Sequence, residues 1–168
     1  MEIYIMRHGD AVDRMDPAMK TDEMRPLTPL GQEEVAGMAR VLERLGVKPD
    51  VILTSPLVRA RQTADIVAAE LHAGRPAISD ELAPGGTMTG VLNDILAAGP
   101  PKQVLLSGHM PGVGMLVGYL VWSNSDIIVP FRTAAICRVD LPDEAPFPGA
   151  GDLRWLLPPR TASRLVRR

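Results

Sequence analysis

Followed for its alternation of apolar and polar positions, the chain divides into short β-type runs separated by longer segments with helical spacing. Residues 2–6 hold Ile3, Tyr4, Ile5 and Met6 in one run, which predicts a first strand. A polar, proline-bearing loop follows from Asp10 to Pro26. Thr28 then caps a helix expected from about Pro29, a residue suited to a first turn because its missing N–H would be unpaired there anyway. Val35, Met38, Ala39, Leu42 and Leu45 recur at helical spacing, and Gly46 ends the helix. Val51 to Leu53 reads as a second strand, and Ser55 with Pro56 restarts a helix that carries Val58, Ala60, Ile66, Val67 and Leu71 to about His72. A short strand near Ala77 and Ile78, a helix from about Thr87 to Ala98, a strand from Gln103 to Leu106 and a helix starting at Pro111 come next. Residues 135–140 and 152–157 look like two late strands joined through the proline- and glycine-rich stretch Pro142 to Gly151, which suits a hairpin connection. The basic tail, Arg160 to Arg168, reads as a solvated end. Strands alternating with helices predict an α/β domain with a largely parallel sheet.

Length and charge narrow the possibilities. With 168 residues the chain fits one domain spanning 1–168 and can bury a real core. A net charge of -2 gives no global attraction for nucleic acid or anionic membrane, so a phosphorylated partner must be drawn by a local basic pocket. Aromatic residues make up only 4% of the chain, which further weakens a nucleic-acid reading based on stacking. Three histidines and one cysteine leave neither a disulfide framework nor zinc-ligand spacing, and Cys137, in an apolar run, is expected to be a buried thiol. The N-terminal apolar run meets Arg7 too soon for a signal-peptide core, and the chain reads as cytoplasmic. Val104 to Ser125 carries no formal charge over about the length of a membrane span, yet Ser107, His109, Pro111 and four glycines favour a strand, a turn and a buried helix.

The chemistry concentrates where strands end. The first strand runs into Arg7-His8-Gly9, the fourth into Ser107-Gly108-His109, and the second into Thr54-Ser55-Pro56 with Arg59 one helical turn further on. Ligands of open α/β sheets bind outside the carboxyl ends of the strands, so two histidines and two arginines from three segments are expected to converge there. That set suits phosphoryl transfer. Arginines match phosphate oxygens with a fixed fork of donors. A neutral imidazole can attack phosphorus and form a covalent intermediate. The second histidine would serve best protonated, as a donor to a phosphate oxygen, and Gly9 would let the backbone approach the anion closely. Helix N-termini after Ser55 and at Pro111 add favourable partial charge. Taken singly, each residue has a plainer reading: His8 as a core histidine, Arg59 as a solvated helix residue, Arg61 and His72 as surface groups.

Met6-Arg7-His8-Gly9 after a β-type run resembles the signature of the histidine phosphatase superfamily, the branch that contains the phosphoglycerate mutases. The resemblance continues through Leu27-Thr28-Pro29-Leu30-Gly31, the run Thr54 to Ala64, and Ser107-Gly108-His109-Met110-Pro111. Arg25-Pro26-Leu27-Thr28, Glu81-Leu82-Ala83-Pro84 and Phe131 to Ile136 are most similar to the short SixA-type phosphohistidine phosphatases. What this resemblance implies is a three-layer sandwich of the phosphoglycerate mutase-like kind, in a minimal form without a large cap insertion. It also implies that His8 is the phosphorylated nucleophile, that Arg7, Arg59 and His109 bind the phosphoryl group, and that no metal or organic cofactor is needed.

For the proton donor, Glu81 is the better match by region, whereas Asp10 is nearer His8 in sequence; a site with no strong acid is the third possibility. Such a site would suit phosphohistidine, whose protonated imidazole leaves readily, better than an alkyl ester. An uncapped pocket also suits a residue displayed on another protein, such as a phosphotransfer domain or phosphocarrier. The loop from Asp10 to Pro26, with Arg14, Lys20 and Arg25, could touch that partner or stay solvated. The competing readings are a phosphatase of small phosphorylated metabolites, a mutase, and a non-catalytic phosphate-binding interaction module. Nucleotide binding through Gly112-Val113-Gly114 is disfavoured because Gly118 falls one residue late for the dinucleotide fingerprint.

Overall fold

A computed structural model describes residues 1–97, 101–142 and 147–166. Six strands form one sheet: β1 (Glu2–Arg7), β2 (Val51–Thr54), β3 (Ala77–Ile78), β4 (Gln103–Gly108), β5 (Ile136–Asp140) and β6 (Asp152–Leu157), in the order β3-β2-β4-β1-β5-β6. Pairing is parallel from β3 through β1 and antiparallel from β1 through β6. Among the described residues five α-helices accompany it: α1 (Pro29–Arg44), α2 (Val58–Glu70), α3 (Met88–Ala97), α4 (Gly112–Trp122) and α5 (Pro159–Val166).

Strand periodicity builds the layers. In β1, Ile3 and Ile5 face α3 and α4 together with Val104, Leu106 and Cys137. Tyr4 and Met6 face the opposite side, where Leu105 and Ile136 pack with Val35 and Met38 of α1 and Val67 of α2. Both faces of the central strands are therefore dry, the situation expected of parallel strands covered by helices. The expected three-layer, mostly parallel architecture is the one observed. Among the described residues, no helix is long and apolar enough to cross a membrane. The uncharged run from Val104 is strand β4, a turn and helix α4.

Two boundaries differ from expectation. Residues 160–166 of the basic tail, with Pro159 before them, form helix α5 rather than a wholly solvated end: Ala162, 2% exposed, packs into the core beside α1. Ala162, Leu165 and Val166 recur at helical spacing among the arginines, but the run is too short and too charged to stand apart from a solvated end. Helix α2 begins at Val58, three residues beyond Ser55, whose N–H still donates to Ser107 as an extension of the β2–β4 ladder. The expected helix end at Ala98 and part of the Pro142–Gly151 connection lie outside the described residues.

The glycines of α4 also have a packing role. A Cβ at Gly114 would stand 2.4 Å from the Val129 carbonyl oxygen, and one at Gly118 would stand 2.1 Å from that of Ile127. They let the 124–129 segment cross the helix directly, which accounts for the spacing without a nucleotide.

Candidate active site

The register of the sheet brings the chemistry together. Arg7 at the end of β1 pairs with Gly108 of β4, and Thr54 at the end of β2 pairs with Ser107. His8, Arg59 and His109 follow these ends and are 8%, 4% and 5% exposed, respectively. With Arg7, Asp10, Asp22 and Arg25 they line a cavity of about 460 Å³. A cavity of about 420 Å³ between α1 and α5 contains neither histidine nor cysteine, so volume alone does not locate the chemistry.

The His8 ring is held from both sides. Its Nδ1 lies 2.7 Å from the Gly9 carbonyl oxygen, which can only accept, so Nδ1 carries the proton and Nε2 is left with its lone pair. The Nε–H of Arg59 donates to that Nε2 at 3.3 Å. Burial, reinforced by Arg59, Arg7 and Arg25 and opposed only by the Gly9 hydrogen bond, pushes the His8 pKa down to about 4. The ring is thus a neutral imidazole at physiological pH, with the nitrogen needed for attack on phosphorus unprotonated.

Gly9 also has a packing reason to be glycine. Its N–H already donates to Thr63 Oγ1 at 3.1 Å, and a Cβ there would strike Val35 of α1 at 2.7 Å. The residue is glycine so that the strand end can lie against α1, and its part in the site is the carbonyl that fixes His8. Thr63 in turn donates to the Arg59 carbonyl one helical turn back, at 2.8 Å, tying α2 to the end of β1.

His109 packs against His8 with ring centroids 5.0 Å apart. Burial, followed by His8 and Arg59, lowers its pKa to about 3, so the unliganded ring is neutral rather than protonated as expected from sequence. Protonation is not required for donation. Ser55 Oγ lies 2.8 Å from His109 Nε2 and already accepts from the Leu57 N–H, which frees its own proton for Nε2. In that arrangement Nδ1 bears the hydrogen of the neutral ring. This Nδ1 and the Arg7 Nε are the buried side-chain nitrogen or oxygen atoms without a hydrogen-bond partner among the described residues. Buried polar groups are rarely left unpaired, so each of these two nitrogens keeps a donor free for a further acceptor. Arg7 is otherwise anchored by its donation to the Phe131 carbonyl at 2.8 Å.

The sequence reading missed Asp22. Its carboxylate accepts from Arg59 at 2.9 Å, Arg25 at 2.9 Å and Arg14 at 3.1 Å, while its carbonyl accepts from the second Nη of Arg59 at 2.7 Å. Burial would raise the pKa of Asp22, but the hydrogen bonds and charges of Arg59 and Arg25 overcome that and hold it down to about 2. Both Nη groups of Arg59 are therefore committed to the loop, and its Nε is left facing His8. An acid among arginines in a polar loop has no periodic signature, and the family run began to be legible only at Arg25.

The two candidate proton donors part company. Asp10 lines the cavity and accepts from Thr28 Oγ1 at 2.9 Å. Glu81 does not line it: its Oε2 accepts from the Thr87 N–H at 2.7 Å and the Thr87 hydroxyl at 2.9 Å, at the start of α3. These bonds lower the Glu81 pKa and favour the carboxylate over the acid. No group of three or more histidine, cysteine or acidic residues among the described residues could hold a metal ion.

Comparison with known proteins identifies the family and the fold. Residues 3–84 match the family described as histidine phosphatase superfamily (branch 1). The chain is 36% identical over 163 residues to the phosphohistidine phosphatase SixA of Escherichia coli K12, covering 95% of this chain and 94% of that protein. An uncharacterized protein of Picosynechococcus is 42% identical over 116 residues, 68% of this chain and 69% of its own. A solved structure of the protein histidine phosphatase SixA complexed with tungstate superposes with a TM-score of 0.81 at 34% identity, covering 95% of this chain and 98% of that one. The alpha-ribazole phosphatase of Shigella flexneri, at 17% identity and a TM-score of 0.69, shares the fold alone.

Proposed function

The chain belongs to the histidine phosphatase superfamily, and from that premise we propose that it is a single-domain phosphohistidine phosphatase acting on a phosphorylated protein, a phosphotransfer domain or phosphocarrier. His8 Nε2 attacks the phosphoryl group, forming an N–P bond as the P–N bond to the partner's imidazole breaks. Water then attacks the phospho-His8 intermediate, releasing inorganic phosphate and restoring the free lone pair. Arg7, Arg59 and His109 stabilise the charge on the equatorial oxygens throughout.

The observation that carries the reading is the pairing of an unprotonated His8 Nε2 with two buried, unpartnered nitrogens, Arg7 Nε and His109 Nδ1, in one site. The choice of substrate rests on the acid. Glu81 is engaged at α3 and Asp22 is held ionised, which suits a leaving group that departs as an imidazole and needs no strong acid.

The test is a turnover assay without added metal, on a phosphohistidine-bearing phosphotransfer domain and a panel of phosphate monoesters. Rapid loss of protein phosphohistidine with the wild type but not His8→Ala is expected. Turnover confined to monoesters would move the enzyme to small metabolites. Equal activity of the alanine variant would remove His8 as the nucleophile.

A further inference from the structure

Beside the phosphate-binding cavity lies a second one, of about 180 Å³, between the turn Glu81–Gly86 and the start of α4. Pro84, His109 and Met110 line both, so the two adjoin at the reacting centre. Their chemistry differs sharply. The first cavity is walled by arginines; the second presents the half-buried thioethers of Met88, Met110 and Met115 with Val91 and Leu116. Its polar side chains are those of Glu81, already bonded to Thr87, and of His109, shared with the phosphate site. The hydroxyls of a sugar or nucleotide would find no free side-chain partner there and would lose hydration for nothing.

We propose that this methionine-lined cavity is a specificity subsite that takes one apolar side chain of the protein partner, from a residue beside its phosphohistidine. The proposal rests on the phosphohistidine reading above and names what the partner must bring. A phosphoryl group seated among the arginines places the neighbouring residues of its carrier at the shared wall of Pro84 and Met110. Unbranched thioether chains adjust to aliphatic and aromatic shapes alike, which suits partners that differ in sequence. An apolar side chain in that position also keeps water from the His109 edge of the site.

Gly112 offers a clean test. It lines the cavity, and a Cβ there meets no atom within 4 Å, so a larger side chain can be added at the cavity's edge without displacing the backbone. Gly112→Leu and, as a second variant that keeps size but adds polarity, Met115→Gln would be assayed on a phosphotransfer domain and on free phosphohistidine. With Gly112→Leu, kcat/KM on the phosphoprotein is expected to fall about tenfold or more, mainly through KM, and to stay within about twofold on free phosphohistidine. Met115→Gln should follow in the same direction by about threefold. Equal losses on both substrates, or no loss on the phosphoprotein with either variant, would overturn the subsite while leaving the phosphatase reading intact. A wild-type enzyme inert on the phosphoprotein would remove the reading and the subsite together.

Discussion

The two sides of the active-site cavity are built to different standards. On the phosphate side every reacting group is tied down before any ligand arrives: His8 by the Gly9 carbonyl, Arg7 by Phe131, Arg59 by Asp22, and His109 by Ser55. On the other side the Glu81–Gly86 turn carries a carboxylate directed into a helix cap, followed by two exposed residues, Pro84 and Gly85. Preorganised donors cost no reorganisation at the moment of reaction, so the binding of negative charge is where this fold has been made rigid. The candidate proton donors are held elsewhere, Asp10 by the Thr28 hydroxyl and Glu81 by Thr87. The contrast favours substrates whose leaving group supplies its own stability.

The comparison is broken most severely at His8. His8→Ala should lower turnover by about 10⁴-fold or more and abolish the labelled phosphoenzyme, because the unprotonated nitrogen of the other cavity histidine, His109 Nε2, is taken up by the Ser55 hydroxyl. Residual phosphoenzyme on another residue would show that the rigid side was misassigned. Next in size is Arg59→Ala, expected to cost about 10²- to 10³-fold in kcat, with Arg59→Lys recovering little because an ammonium cannot hold Asp22 through two nitrogens and His8 through a third.

Asp22→Asn separates positioning from charge. Losing the carboxylate loosens Arg59, so kcat should fall about tenfold. The same change uncovers the positive charge of Arg14, Arg25 and Arg59, so inhibition by inorganic phosphate should tighten. Both quantities moving downward in affinity and rate together would mean that Asp22 only supports the loop.

The pH dependence sharpens the same point. An ordinary histidine titrates at about 6.5, whereas burial and the arginines push His8 to about 4. The acid limb of kcat/KM should therefore lie near pH 4, with most activity kept at pH 5.5, where an unperturbed imidazole would be largely protonated. Stability moves the opposite way from a raised histidine. With both folded pKa values depressed, His8 and His109 favour the folded chain above about pH 6.5, and that contribution is lost as pH falls toward 4. The slope reaches about 1.4 kcal/mol per pH unit for each group, because the unfolded chain takes up protons the folded one refuses. Denaturant midpoints measured between pH 7 and 4.5 would show it.

How much of this was legible in the sequence depended on whether a residue repeats a pattern. The strands and their order of chemistry could be read because Ile3 to Met6 and Val104 to Leu106 are buried on both faces and end in Arg7-His8 and Ser107-Gly108-His109. Cys137 was legible as a buried thiol for the same reason. Asp22 and Thr63 were not, since their roles come from tertiary proximity across 37 and 54 positions. Helix α5 escaped because its apolar positions are few and interleaved with arginines, although Ala162 reaches the core. The glycines carry a further reason that no sequence pattern shows: at Gly9, atoms of Val35 and Gly31 in α1 leave no room for a side chain.

Glu81 is the smallest expected effect and the most direct probe of the loose side. Its two hydrogen bonds go to Thr87, and its side chain lies against Gly90, where an added Cβ would meet the carboxyl carbon at 2.3 Å. Glu81 thus closes the first turn of α3 much as a capping side chain does. Glu81→Gln keeps an acceptor for the Thr87 N–H but cannot donate a carboxyl proton. If the leaving imidazole needs no acid, this variant should turn over phosphohistidine within about twofold of wild type. Glu81→Ala should keep that activity and lower the thermal midpoint slightly, because the orphaned N–H at Thr87 returns to solvent. A loss of a hundredfold in Glu81→Gln, with the midpoint unchanged, would mean that the carboxyl group swings away from α3 during the reaction and that the two sides of the cavity are equally engaged in the chemistry.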